Sequence, residues 1–187
     1  MEALLTSTLL VAVAEIGDKT QLLAIVLATR FRKPVPIVFG ILAATLANHA
    51  LAALAGQLAA GFFAGQWFRI AVAASFVVMG LWTLVPDKLD EDEAPRARRG
   101  VFLTTLVAFF LVEMGDKTQL ATVALGARFG NLVAVTAGTT LGMLIANVPA
   151  VLLGHALVRR ISMKGVRIVA ATSFVAAGLW MLVETLG

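Results

Sequence analysis

Long apolar runs separated by short polar breaks dominate this chain. The runs cover approximately 3–29, 34–64, 67–85, 101–127, 132–158 and 165–185. Most exceed the ~20 residues that a helix needs to cross ~30 Å of hydrocarbon. The breaks fall at Arg30–Pro34, Gly65–Gln66, Pro86–Gly100, Ala127–Asn131 and Arg159–Lys164. None of the runs shows the roughly ten-residue alternation of a membrane barrel strand. The pattern predicts six transmembrane helices. Pro149 interrupts the fifth run and predicts a kink there. Trp82 and Trp180 stand near run ends, where interfacial tryptophans belong.

The runs repeat. Glu15–Gln21 maps onto Glu113–Gln119 at an offset of 98, with Met114 in the place of Ile16. In the same register Arg30-Phe31 maps onto Arg128-Phe129, and Arg69-Ile70 onto Arg167-Ile168. Gly40, Gly56 and Gly80 map onto Gly138, Gly154 and Gly178, positions that predict close helix packing. The register predicts a three-span repeat over 1–85, a linker over 86–100 and a second repeat over 101–187. Because three is odd, the second copy must enter the membrane upside down, the plan of many secondary transporters. The expected fold is therefore an all-α integral membrane protein of six transmembrane helices in two inverted three-helix repeats.

The repeated motif carries the charges that these runs should exclude. Glu15, Asp18, Lys19, Glu113, Asp116 and Lys117 lie inside the first and fourth runs. Even on a lenient insertion scale, six such groups would together cost roughly 15–20 kcal/mol at the bilayer centre if uncompensated. On a continuous helix Glu15, Asp18 and Lys19 share one face, as do their counterparts. One reading makes these charges structural ion pairs that lock helices together. Each motif, however, sets two carboxylates against one lysine, and the combined surplus of two negative charges suits a divalent cation. Intramembrane ionisable groups are functional by default, which favours a site. The four carboxylates are expected to converge in one polar cavity near mid-depth, where transporter sites lie between the repeats. Lys19 and Lys117 would balance charge rather than touch an ion, since an ammonium has no lone pair.

Thr20, Gln21, Thr118 and Gln119 are neutral oxygen donors beside the carboxylates. On an unbroken helix Thr20 and Gln21 point away from Glu15, but an opening at Gly17 and Gly115 would change that. Gln21 and Gln119 stand as candidate ligands that geometry must decide. Asn48, His49 and Asn147 lie mid-run as polar neighbours, and interhelical hydrogen bonds are their ordinary use. His49 could also relay protons, whereas its offset partner Asn147 could not.

Composition agrees with a membrane protein. Hydrophobic residues make up 60% of 187, with mean hydropathy +0.94, against about 45–50% apolar in soluble domains. The first run is too long for a cleaved signal peptide and is expected to stay as a span. With no cysteine there is no thiolate site, so oxygen and imidazole ligands favour Mn²⁺, Ca²⁺ or Mg²⁺ over zinc or copper(I). The net charge of +4 reflects topology rather than nucleic-acid binding. Arg30, Arg32, Lys33, Lys88, Arg96, Arg98, Arg99, Arg159, Arg160, Lys164 and Arg167 follow runs one, three and five, while Arg69 and Arg128 alone lie opposite. The positive-inside rule then places those links in the cytoplasm and both termini outside. The linker, acidic through Asp87, Asp90, Glu91, Asp92 and Glu93 and then basic, reads as a solvated tether. A sharper reading has its acidic half attract cytosolic cations.

The doubled Glu-x-Gly-Asp-Lys-Thr motif, one per repeat around a charged central loop, resembles the Gdt family of cation/proton exchangers. The resemblance covers nearly the whole chain, without departure from the motif in either copy. It implies that Glu15, Asp18, Glu113 and Asp116 bind Mn²⁺ or Ca²⁺ while protons move the other way, with no cofactor. The lipid bilayer and a divalent metal ion are the expected partners, and a homo-oligomer stays open. A near-minimal six-span chain without an organellar extension is expected in a bacterial inner membrane. Two other functions remain on the page: export of basic amino acids, and lipid-pyrophosphate phosphatase chemistry. The latter would want arginines beside the carboxylates, and no arginine lies mid-run.

Overall fold

A computed structural model describes residues 1–63, 65–85, 100–153 and 163–187, apart from the side chain of Met163. The readings of the linker Pro86–Arg99, of Gly154 and of Arg159 and Arg160 lie outside the described residues. Eight α-helices are described: α1 (Glu2–Glu15), α2 (Lys19–Phe31), α3 (Pro34–Phe62), α4 (Gln66–Thr83), α5 (Val101–Glu113), α6 (Lys117–Phe129), α7 (Leu132–Leu153) and α8 (Met163–Leu186). Of these, α3, α4, α7 and α8 are long and apolar enough to cross a membrane. The protein is an all-helical integral membrane protein. Large apolar side chains such as Leu9, Phe39, Leu58, Val133 and Val183 are exposed on its outside, where lipid tails are as apolar as they are.

The first and fourth predicted helices are not continuous. Each is split into two short helices, α1 with α2 and α5 with α6, of 14, 13, 13 and 13 residues. At 1.5 Å per residue each piece measures about 20 Å, too short to span alone. The splits fall inside the two charged motifs, so Glu15 and Lys19 do not share a helix face as a continuous helix would require. α7, by contrast, continues through Pro149 to Leu153.

The halves interlock by exchange. α1 packs on α7, and the equivalent α5 packs on the equivalent α3. A Cβ on Gly138 would stand 2.6 Å from the Leu4 carbonyl and 2.8 Å from the Ser7 Cβ. At the equivalent contact, one on Gly40 would stand 2.9 Å from the Phe102 carbonyl and 2.7 Å from the Thr105 Cβ. α4 and α8 pack on each other, with Gly80 against Ala171 and Val175, and Gly178 against Ala73 and Val77. Residue numbers run in opposite directions along this seam, so α4 and α8 are antiparallel. Phe76 meets its own counterpart Phe174 there, ring centroids 6.1 Å apart. Small residues suit such contacts, because helices in lipid gain little from hydrophobic burial and depend on close van der Waals approach.

The tightest approach joins α3 to α6, where Gly56 faces the Val123 backbone and Gly126 the Ala53 backbone. Gly56→Ala should overpack this seam and destabilise the protein by about 1–3 kcal/mol. Gly61→Ala, which meets nothing within 4 Å, should be neutral or slightly stabilising. Thermal unfolding of both variants in detergent tests the contrast; equal midpoints would contradict it.

Candidate metal centre

Both motifs break their helices in the same way. α1 ends at Glu15, Ile16 is extended, Gly17 takes φ +84°, and Asp18 takes the N-cap position of α2. The second copy repeats this with extended Met114, Gly115 at φ +77° and Asp116 at the N-cap of α6. Glycine is the residue that adopts positive φ without a Cβ penalty, so the motif's glycine sits where the chain must turn. The freed amide of Gly17 donates to Gln21 Oε1 at 2.9 Å, and that of Gly115 to Gln119 Oε1 at 2.7 Å. Each glutamine then reaches across to the other half: Gln21 Nε2 donates to the Ala146 carbonyl at 2.9 Å, and Gln119 Nε2 donates to Asn48 Oδ1. Residues 48 and 146 are repeat equivalents. In this conformation the glutamines brace the breaks.

The breaks bring three carboxylates together. Ligand oxygens of Glu15, Glu113 and Asp116 lie within 4.8 Å of one another, and all three residues are buried. Glu15 is the best satisfied, because Thr20 and Thr118 each donate a hydroxyl hydrogen bond to it, one from each half. Glu113 has His49 Nε2 at 3.4 Å from Oε1, while its Oε2 has no hydrogen-bond partner. Asp116 has Lys19 Nζ at 3.6 Å from Oδ1, and its Oδ2 likewise has no hydrogen-bond partner. Buried carboxylate oxygens normally find donors. Three in one pocket, two of them with an open oxygen, form a donor set for a hard cation.

Asp18 does not join this group. It is buried beside a cavity of about 20 Å³ bordered by Gly17, Thr83, Lys117, Thr118 and Arg167. Lys117 donates to the Val85 carbonyl at 3.2 Å and stacks over Trp82, so Trp82 serves as a cation platform. Asn147 turns to its own helix, donating to the Met143 carbonyl at 3.0 Å. Arg167 escaped the sequence reading because it counts as a span-end charge. Its place beside Asp18 is set by the packing of α8 on α4, which spacing along the chain does not reveal.

An all-helical membrane protein with carboxylates buried at two helix breaks belongs to the class of secondary ion transporters. More particularly, the chain belongs to the GDT1 family: the family model described as "Divalent cation/proton antiporter GDT1" matches residues 3–91 and 101–187. It is a transporter and not an enzyme, and the ions are its substrates. A Vibrio cholerae protein named "Putative manganese exporter" is 51% identical over 155 residues, covering 82% of this chain and 77% of that one. The "GDT1-like protein sll0615" of Synechocystis is 31% identical over 93% of both chains. "GDT1-like protein 3" of Arabidopsis thaliana is 26% identical over 92% of this chain and 68% of its own length. No solved structure matches.

The bracing glutamines yield a prediction. Gln21→Leu would leave the part-buried Gly17 amide without its partner and cut the tie to the Ala146 carbonyl, and an amide so orphaned costs about 1–3 kcal/mol. The expected result is a lower unfolding midpoint, measured in detergent without metal. A midpoint equal to that of the parent would remove the bracing role.

Proposed function

We propose that this protein exports Mn²⁺, with Ca²⁺ as a second ion, from the cytoplasm of a bacterium in exchange for protons. The observation that carries the reading is the convergence of Glu15 from one half with Glu113 and Asp116 from the other. A site built from both halves is altered when the halves move against each other, which is what alternating access requires. Asp18 completes the negative charge nearby, Lys19 and Lys117 offset part of it, and Thr20 and Thr118 orient Glu15.

In this reading α1 with α2, and α5 with α6, form two broken spans that make six crossings with α3, α4, α7 and α8. The antiparallel meeting of equivalent residues on α4 and α8 supports inverted repeats over 1–85 and 101–187, since repeats inserted the same way up would run parallel. The lysine and arginine bias supports cytoplasmic links after spans one, three and five, with both termini outside. The breaks also differ in cover: Met114 and Gly115 are exposed, while Ile16 and Gly17 are partly buried. Such inequality fits a carrier caught facing one way. Manganese is favoured by the exporter named among the relatives.

Flux of divalent ions into proteoliposomes, with and without a pH gradient, tests the function. Mn²⁺ uptake driven by the gradient is expected. Glu15→Gln and Glu113→Gln should each abolish it, because a divalent ion needs charge from both motifs to offset its lost hydration. Transport retained at normal expression would mean, for Glu15→Gln, that the carboxylates of the second repeat suffice and, for Glu113→Gln, that Glu15 and Asp116 suffice.

Exchange further requires metal and protons to compete for the same carboxylates. Metal ligands bind in their deprotonated form, so Mn²⁺ binding should release protons, and acid on the binding side should weaken affinity. Calorimetry from about pH 6 to pH 8, in buffers of different ionisation enthalpy, reads both effects. Affinity that ignores pH, with no proton released, would leave a uniporter or channel.

A further inference from the structure

We propose that His49 is a ligand of the transported ion, and that its imidazole nitrogen makes the site prefer a transition metal to Ca²⁺ or Mg²⁺. The inference rests on the transport reading above and adds to it the residue that sets selectivity.

Carboxylates alone select poorly, since Mg²⁺, Ca²⁺ and Mn²⁺ all accept hard oxygen ligands. Imidazole nitrogen is a softer donor than carboxylate oxygen; added to an oxygen set it favours first-row transition ions, Mn²⁺ least among them, over the alkaline-earth ions. His49 is fully buried and stands beside the carboxylate group. Its Nε2 is 3.4 Å from Glu113 Oε1, beyond the roughly 2.7–3.2 Å of an ordinary N–H···O bond. Neighbouring ligands of one ion, with bonds of about 2.0–2.5 Å at right angles, stand roughly 2.9–3.5 Å apart. The observed separation matches two ligands of a shared ion better than a hydrogen-bonded pair. Coordination through Nε2 needs the tautomer with its hydrogen on Nδ1, which has no hydrogen-bond partner among the described residues, and leaves the Nε2 lone pair for the metal.

The fold holds the His49 backbone in place. α3 lies against α5 through Gly40, and Asn48 Nδ2 donates to the Phe110 carbonyl at 3.3 Å, one residue from His49. The equivalent position offers no second nitrogen ligand, because Asn147 is turned onto Met143 of its own helix. The two halves are thus chemically unequal at one position, and the unequal residue is the one beside Glu113.

The test is pulsed electron paramagnetic resonance of the full-length protein in detergent with bound Mn²⁺. Nitrogen modulation is expected, changing on ¹⁵N-histidine labelling. His155 lies outside the described residues, so His49→Asn decides which ring is seen. In that variant the modulation should vanish, and Mn²⁺ affinity should fall by about tenfold or more while Ca²⁺ affinity changes far less. Modulation that is absent from the parent protein with Mn²⁺ bound, or that persists in His49→Asn, overturns the role of His49 and leaves the transport reading standing. So does an unchanged preference of Mn²⁺ over Ca²⁺. No Mn²⁺ binding by the parent protein overturns both. If His49→Asn fails to fold, His155→Asn decides instead: histidine modulation that persists there belongs to His49, and modulation that vanishes overturns its role.

Discussion

Three buried carboxylates with oxygens within 4.8 Å of one another repel strongly in a medium of low dielectric. Everything around them works to make that arrangement tolerable. Two threonine hydroxyls, one from each half, serve Glu15, and the Lys19 ammonium stands beside Asp116. The compensation stops short of complete: Glu113 Oε2 and Asp116 Oδ2 find no donor among the described residues. A scaffold built only for stability would close those bonds or replace the group with apolar side chains. The open oxygens are a standing demand for positive charge, which protons and a divalent ion can each meet. In the exchange we propose, that shared demand is the physical basis.

The backbone breaks follow from the same demand. A continuous α1–α2 helix would turn Thr20 away from Glu15. Splitting it at Gly17 brings the threonine back onto the carboxylate and leaves the Gly17 amide to be satisfied by Gln21. Irregular backbone at membrane depth is tolerated only where protein satisfies its polar groups, and the glutamines do this at both breaks. The same side chains tie each break to the opposite half, through Ala146 and Asn48. Local geometry at each motif is therefore coupled to the packing of the two halves.

That packing rests on small residues. Gly40, Gly56, Gly80, Gly126, Gly138 and Gly178 all face neighbours that a methyl group would crowd. Close contact without bulky interdigitation gives surfaces that slide or rock at modest cost, as a carrier requires. The exposed flanks of the same helices are apolar, as a surface facing lipid is.

Much of this was legible in the chain itself. The apolar runs, the offset of 98, the intrusive charges and the glycines at matching positions announce a membrane protein with a doubled ionic motif. They do so because hydropathy and repetition are properties of single positions and their spacing. Tertiary structure decided the rest. That Gly17 and Gly115 break their helices, that Asp116 joins Glu15 and Glu113 while Asp18 does not, and that Arg167 comes to line the same cavity as Asp18 all depend on contacts between segments far apart in the chain. The division between His49 and Asn147 shows the difference most clearly. In sequence they are two polar residues at equivalent places. Only the packing of α3 on α5 sets one beside Glu113, while a hydrogen bond within α7 turns the other away.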